Sequence, residues 1–157
     1  MRSKQRLLAR AIALASAGHQ DQFDRAGSPY ILHCLTVMHK TKTDDLEIKQ
    51  IAVMHDLLED TATTMADLET EGFSQRVRDA LFLLTHVDGV SYDQYIKGIS
   101  TNLDAIIVKL ADLRHNSDLT RLKGLTEKDF ERMQKYQKAY VYLLNAKTQL
   151  LEKPCKC

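Results

Sequence analysis

The sequence predicts an all-α protein, a compact single-domain bundle of about eight helices. Apolar residues recur at helical spacing in most segments, and Ser, Thr, Asp or Asn residues stand before these segments as helix caps would. No segment shows the strict alternation of a half-buried strand. A chain of 157 residues can bury one full core. We therefore expect a single domain over 1–157, with a core over about 5–149 and a frayed tail at 153–157.

The first helix is predicted over 5–17, where Leu7, Ala11 and Leu14 follow helical spacing and Gly18 can end it. A polar loop containing glycine and proline follows, and loops of this kind often carry function.

The second helix is predicted over 29–40, with Ser28 as its cap and a proline that suits its first turn. Asp44 and, three residues on, Glu47 have the form of a capping box. They predict a third helix that runs without interruption over about 44–61.

Similar cap signals open each of the remaining helices. The signals are Thr64 with Asp67, Ser74, Ser91 with Gln94, Asn102, and Thr126 with Asp129. The corresponding helices are predicted over 64–71, 74–84, 91–98, 103–117 and 126–152.

Charge and cysteine content exclude several classes of function. The 22 basic and 21 acidic residues leave a formal charge of +1, so no overall field attracts nucleic acid or an anionic membrane. No apolar run approaches the length that spans a bilayer. Three cysteines, an odd number, do not form a disulfide framework. We expect a cytoplasmic protein with neither nucleic acid nor membrane as a partner.

The most informative segment is 51–61, in which one histidine and three carboxylates lie among apolar residues. At about 100° of rotation per residue, a continuous helix would place His55, Glu59, Asp56 and Asp60 on one side and apolar residues on the other. A histidine next to an aspartate offers one nitrogen and one oxygen ligand to a divalent ion. The alternative is an ordinary solvated face of an amphipathic helix.

Two other segments could complete a metal site. Lys109, Asp112 and Asn116 share one face of an apolar helix by the three- and four-residue rule, although a local Lys109–Asp112 pair would explain them equally. His33 lies on another apolar helix and is either a ligand or a satisfied core residue. Together, His33, His55, Asp56 and Asp112 would offer two nitrogen and two oxygen ligands. That mixture suits manganese or another first-row divalent ion better than a structural zinc site.

The order His33, His55-Asp56, Asp112 resembles the HD-domain metal-dependent phosphohydrolases. Further motifs are similar to the alarmone-hydrolase branch, which comprises the hydrolase domains of RelA/SpoT enzymes and their small stand-alone relatives. These motifs are His19, Gln22, Gly27, Pro29, Tyr30 and His33 in the opening loop, Glu59-Asp60-Thr61, and Lys109-Leu110-Ala111-Asp112 with Asn116. The resemblance covers about residues 5–145.

The resemblance implies the roles of the site residues. His33, His55, Asp56 and Asp112 would hold one manganese ion. Glu59 and Asp60 would position and deprotonate the attacking water. Arg25, Lys109 and Asn116 would meet the substrate, with Lys109 nearer to a structural role. The implied reaction, part of the stringent response, is hydrolysis of the 3′-pyrophosphate of guanosine tetra- or pentaphosphate, which releases pyrophosphate and GDP or GTP.

The chain departs from this family pattern at three places. Asp24 replaces the first of two adjacent basic residues in the opening loop, Cys34 replaces a proline, and Leu113-Arg114 reverses the usual order of a basic and an apolar residue. These departures leave the predicted metal ligands unchanged and affect the prediction of the substrate. The alternatives are therefore a phosphatase for another nucleotide such as NADPH, a nucleotide-sensing module without hydrolysis, and a purely structural helical domain.

Overall fold

The computed structural model describes residues 3–152, and about two-thirds of these residues are helical. The helices are α1 (Lys4–Gly18), α2 (Ile31–Lys40), α3 (Leu46–Val53), α4 (Leu57–Asp60), α5 (Met65–Thr70), α6 (Gln75–Leu84), α7 (Tyr92–Ile99), α8 (Leu103–Asn116) and α9 (Glu127–Glu152). A 3₁₀ turn at Leu119–Arg121 precedes α9. Within 3–152 there is no strand, only a single bridge between Phe23 and Pro29. The all-α prediction is confirmed, and the predicted tail at 153–157 lies outside the described residues.

Local caps account for most helix starts. The Thr64 and Ser91 capping boxes form as predicted, because in each the side chain of the cap and that of the third residue of the helix bond to each other's backbone. Ser74 and Asn102 also accept backbone N–H groups at the starts of α6 and α8. These helices begin within one residue of the predicted positions because their signals are complete within four residues.

Three predictions about helix ends were wrong. Ser28 does not cap α2, since Tyr30 occupies the cap position and makes no side-chain cap bond. Asp45 rather than Asp44 caps α3, and it accepts the N–H groups of Glu47 and Ile48. The predicted continuous helix over 44–61 is broken at 54–56, which separates α3 from α4.

Helix α3 forms the centre of the bundle. It packs against α1, α2, α6 and α8, and Ile51, Ala52 and Val53 are fully buried. Helix α2 also packs against α8, while α9 covers α8 and α7 from outside. The mutual packing of α2, α3 and α8 brings together three segments that are far apart in the sequence.

The end of α1 fixes the position of α4. A Cβ atom at Gly18 would lie 2.7 Å from Leu57 Cδ1 and 3.1 Å from Thr61 Cγ2. A larger residue at Gly18 would therefore have to displace the Leu57 and Thr61 side chains. None of the helices within 3–152 is both long and apolar enough to cross a membrane.

Candidate metal centre and active site

Four side chains converge where α2, α3 and α8 meet. His33 Nε2 lies 3.2 Å from both His55 Nε2 and Asp112 Oδ1. Asp56 Oδ2 lies 3.0 Å from His55 Nε2 and 3.7 Å from His33 Nε2. His33, His55 and Asp112 are buried, and the Asp56 side chain is one-fifth exposed. The four residues predicted as metal ligands are therefore neighbours in space, and we call them the ligand cluster.

The break between α3 and α4 aims His55 at this cluster. The N–H of Met54 bonds to the last carbonyls of α3, and the N–H of Leu57 bonds to the Met54 carbonyl, so the chain makes a tight turn. His55 Nδ1 lies 2.8 Å from the carbonyl oxygen of Ala52 and donates to it, which leaves Nε2 free. His55 and Glu59 consequently do not share one helix, and the rotation angles of a continuous helix do not describe their arrangement.

Neighbouring side chains also donate hydrogen bonds to the two aspartates. Lys109 Nζ donates to Asp112 Oδ2 over 2.8 Å, and Asn116 Nδ2 donates to Asp112 Oδ1 over 2.7 Å. The Tyr30 hydroxyl donates to Asp56 Oδ2 over 2.6 Å. Lys109 and Asn116, predicted as substrate contacts, therefore hold Asp112 in place.

The electrostatics of the cluster favour a positive charge at its centre. Burial alone would lower the pKa of His55, but Asp56 and Asp112 outweigh burial and raise that pKa well above its usual value. Burial alone would raise the pKa of Asp112, but Lys109 and the two histidines keep it well below its usual value. The cluster thus stabilises a cation among two carboxylates and two ring nitrogens.

The donor set fits a divalent metal ion. Nitrogen and oxygen atoms from four residues lie 3.0–3.7 Å apart, as ligands of one ion would. A group of His33, His55 and Asp112 by itself already has the spacing of a metal site. His55 Nδ1 has a backbone acceptor and His33 Nδ1 a side-chain partner, an arrangement that orients histidine ligands in metalloproteins.

Glu59 lies on the wall of a cavity of about 260 Å³ beside the cluster. The cavity is also lined by Asp56, Lys109, Asp112 and Asn116, among others. Glu59 Oε2 accepts the backbone N–H of His86 over 3.0 Å. Burial raises the pKa of Glu59, and the nearby carboxylates of Asp56 and Asp60 raise it further. The raised pKa makes the Glu59 carboxylate a better proton acceptor than an exposed glutamate.

Asp60 follows Glu59 in α4 and is held by the opening loop. Gln22 Nε2 donates to Asp60 Oδ2 over 2.9 Å, and Gln22 Oε1 lies 2.7 Å from Nδ1 of the buried His19. The opening motif therefore has a structural task, because its histidine and glutamine orient the second predicted catalytic carboxylate.

A second cavity, of about 270 Å³, lies on the other side of Tyr30 and Asn116, which line both cavities. Its wall includes His33 and three arginines, namely Arg25, Arg121 and Arg132. Arg25 is 70% exposed, and its Nη1 lies 3.7 Å from Asp129 Oδ1. Arg25 therefore stays at the rim, where it is available to an anionic ligand.

Asp24, the most prominent departure from the family pattern, does not present a free negative charge to this cavity. Its Oδ1 accepts the N–H groups of Ala26 and Ser28, and its Oδ2 accepts from Arg121 Nη2 over 3.0 Å. Although burial raises the pKa of Asp24, these bonds lower it overall. An arginine from the segment after α8 thus compensates for the acidic substitution in the loop.

Sequence reasoning assigned no role in the site to four residues that the structure places there: Gln22, Tyr30, His86 and His115. Gln22 and Tyr30 belong to the opening motif, which was the available signal for both. His115 stands next to Asn116, but its contact with His33 spans 82 positions and cannot be found from local spacing. His86 contributes its backbone N–H, which carries no sequence signal.

No family model matches the chain, but curated proteins do. Over 117 residues the chain is 32% identical to a guanosine-3′,5′-bis(diphosphate) 3′-pyrophosphohydrolase of Aquifex aeolicus, covering 68% of this chain and 17% of that protein. Over 123 residues it is 28% identical to the bifunctional (p)ppGpp synthase/hydrolase SpoT of Escherichia coli, covering 69% and 17%. The chain thus spans about one-sixth of the length of these relatives.

A solved structure has the same fold. It is a metazoan ortholog of SpoT, described as hydrolysing ppGpp, and it matches with a TM-score of 0.73 over 93% of this chain and 92% of that chain. The identity is 22%, so this likeness establishes the fold. Together the comparisons confirm the predicted resemblance to the alarmone hydrolases and the predicted HD-type helical bundle.

Proposed function

We propose that the protein is a divalent-metal-dependent phosphohydrolase that removes the 3′-pyrophosphate of guanosine tetra- or pentaphosphate. The convergence of His33, His55, Asp56 and Asp112, with Glu59 on the adjoining cavity wall, is the observation that carries this proposal. The names of the sequence relatives support the substrate class. Manganese is the proposed metal, because two imidazoles and two carboxylates form a mixed site of intermediate softness.

When bound, a divalent ion lowers the pKa of a coordinated water and offsets negative charge on phosphoryl oxygens. In the proposed reaction Glu59 takes a proton from the attacking water. The water oxygen bonds to the phosphorus next to the 3′ oxygen, and the bond between that phosphorus and the 3′ oxygen breaks. Pyrophosphate leaves with the water oxygen, and the 3′ oxygen of GDP or GTP takes up a proton, so that one water is consumed. Asp60, held by Gln22, orients the water together with Glu59.

The two cavities share Tyr30 and Asn116 as lining residues, and each is lined by at least one residue of the ligand cluster, which supports a substrate site formed by both. We assign Arg25 to a phosphate contact because its guanidinium is exposed at the rim. Asn116 lines both cavities and can contact the substrate while it holds Asp112. Lys109 would support metal binding indirectly, by holding Asp112, because its ammonium group is buried against that carboxylate.

The test is turnover of a nucleotide panel by manganese-loaded protein, with pyrophosphate and orthophosphate measured separately and Asp56→Ala as the blank. Metal-dependent pyrophosphate release from guanosine tetraphosphate is the expected result. Orthophosphate release from NADPH or another nucleotide would overturn the proposed substrate but would support metal-dependent hydrolysis. Nucleotide binding without turnover would overturn the enzymatic proposal in favour of a sensor.

A further inference from the structure

The ring of His33 faces a second histidine on the side away from the ligand cluster. His33 Nδ1 and His115 Nδ1 are 2.7 Å apart. The ring centroids are 5.0 Å apart and the ring planes differ by 18°. The distance between the centroids is about equal to the distance between the two nitrogens plus the distance from each nitrogen to the centroid of its own ring. The two nitrogens therefore meet head to head, nearly in the plane of both rings, which is good hydrogen-bond geometry.

Such a contact needs one donor and one acceptor. His33 Nε2 belongs to the ligand cluster, where it must be unprotonated to bind a metal ion. The proton of a neutral His33 ring then lies on Nδ1, so His33 donates and His115 Nδ1 accepts. A neutral His115 then carries its own proton on Nε2, and its ring is only partly buried.

The other histidine of the cluster has its orientation fixed differently. His55 Nδ1 bonds to the carbonyl oxygen of Ala52, a backbone acceptor that no substitution removes. His33 depends instead on a side chain 82 positions away. Both ligand histidines thus have a hydrogen-bond partner on Nδ1, but only the partner of His33 can be removed by substitution.

His115 is held where this contact requires it. It lies in the last turn of α8, and Arg121 Nη1 donates to its carbonyl oxygen over 2.9 Å. The same guanidinium bonds to Asp24 in the opening loop. Residues from three segments therefore fix the position of the acceptor.

We propose that His115 is a positioning residue that orients the His33 ring and fixes its proton on Nδ1, so that Nε2 faces the metal. This inference rests on the metal site of the proposed function. Partners of this kind typically contribute about 10- to 100-fold to metal affinity. Positioning His33 in this way requires a hydrogen-bond acceptor at the position of His115 Nδ1. A side chain that only packs against His33 would not need one.

A matched pair of variants tests the acceptor. His115→Asn and His115→Leu have side chains of nearly the same branched shape, but only asparagine offers an oxygen close to the position of Nδ1. The measurement is the dissociation constant for Mn²⁺ by calorimetry, in apo protein whose folding is checked by its melting temperature. We expect His115→Asn to bind nearly as tightly as wild type, and His115→Leu about 10- to 100-fold more weakly.

Two further variants complete the design. His115→Gln is polar but places its amide beyond the position of Nδ1, so it should weaken binding as leucine does, and it replaces leucine if that variant does not fold. His39→Leu, at an exposed position on the same helix as His33, should leave affinity unchanged. Equal affinity of wild type and His115→Leu, or equal losses for asparagine and leucine, would overturn the positioning role alone. Wild type that binds no Mn²⁺ would overturn the metal site as well.

Discussion

Two clusters of buried carboxylates in this protein differ in how their charge is balanced. One surrounds Glu47, whose side chain is 11% exposed. It accepts from Lys4 Nζ over 2.7 Å, from Ser74 Oγ over 2.5 Å and from Arg76 Nη1 over 3.3 Å. Arg76 also forms a two-bond pair with Asp104. The carboxylates of this cluster therefore bond to donors of the chain itself, which supplies the cations.

The ligand cluster is arranged differently. Nitrogen and oxygen atoms of four residues point at a common centre, and the Nε2 atoms of His33 and His55 face each other at 3.2 Å. In the neutral rings that would bind a metal ion, these two nitrogens carry no proton and cannot hydrogen-bond to each other. Lys109 neutralises one carboxylate from the side of Asp112 that faces away from this centre. Convergence on a point, rather than burial of charge alone, is therefore the feature on which the proposed metal site rests.

The largest expected effect is the loss of metal binding in Asp56→Ala. Wild-type protein should melt at a higher temperature with manganese, since a ligand at 100 times its dissociation constant stabilises by about 2.7 kcal/mol. In Asp56→Ala this rise and the turnover should both vanish, because one of four ligands is gone. Glu47→Gln serves as the control and should keep the full rise. If Asp56→Ala retains the metal-induced rise in melting temperature, the ion binds elsewhere.

The second prediction separates metal binding from catalysis. Glu59→Gln should bind manganese like wild type, because Glu59 lies on the cavity wall rather than in the ligand cluster. Turnover should fall about 100- to 10,000-fold, the usual contribution of a general base. Steady-state kinetics and metal titration on the same preparation measure the two quantities. Unchanged turnover would remove Glu59 from the mechanism.

The same comparison explains what could be predicted from the sequence. Helix positions follow from caps and spacing within a few residues, and the eight predicted helices agree with the structure except where 44–61 divides in two. No glycine or proline marks the turn at Met54–Asp56, which follows the largely buried helix α3. The sequence suggested which residues belong to the ligand cluster, through separate motifs on apolar helices.

Long-range partners could not be predicted in the same way. The bond of His33 to His115 and the bond of Arg121 to Asp24 join positions more than 80 residues apart. Spacing rules apply within one helix and give no information on such pairs. For the same reason, the sequence shows Asp24 only as an acidic residue in place of a basic one, whereas the fold places the Arg121 guanidinium beside it.

A smaller effect concerns stability rather than chemistry. Glu47→Ala leaves the donors of Lys4 and Ser74 without their acceptor, while Arg76 keeps Asp104. We expect a loss of about 1–3 kcal/mol in the free energy of unfolding, measured with denaturant on metal-free protein. Lys4→Met should lose less than about 1 kcal/mol, since Lys4 is 61% exposed and its pair is screened. Equal losses of unfolding free energy in the two variants would contradict the idea that Glu47 is the residue on which this cluster depends.

The smallest effect is a pH dependence confined to the Glu47 cluster. The Lys4 and Ser74 side chains donate to Glu47 and lower its pKa in the folded protein. A carboxylate with a lowered folded pKa stabilises the protein above its unfolded pKa, and this stabilisation is lost as the pH falls through the folded value. The difference in unfolding free energy between wild type and Glu47→Gln should therefore be constant near neutral pH and shrink below about pH 4.5. Metal-free protein is used so that protonation of the ligand cluster contributes equally to both variants. A difference that stays constant down to pH 3 would show that the Glu47 charge adds nothing to folding, and the contrast between the two clusters would then rest on geometry alone.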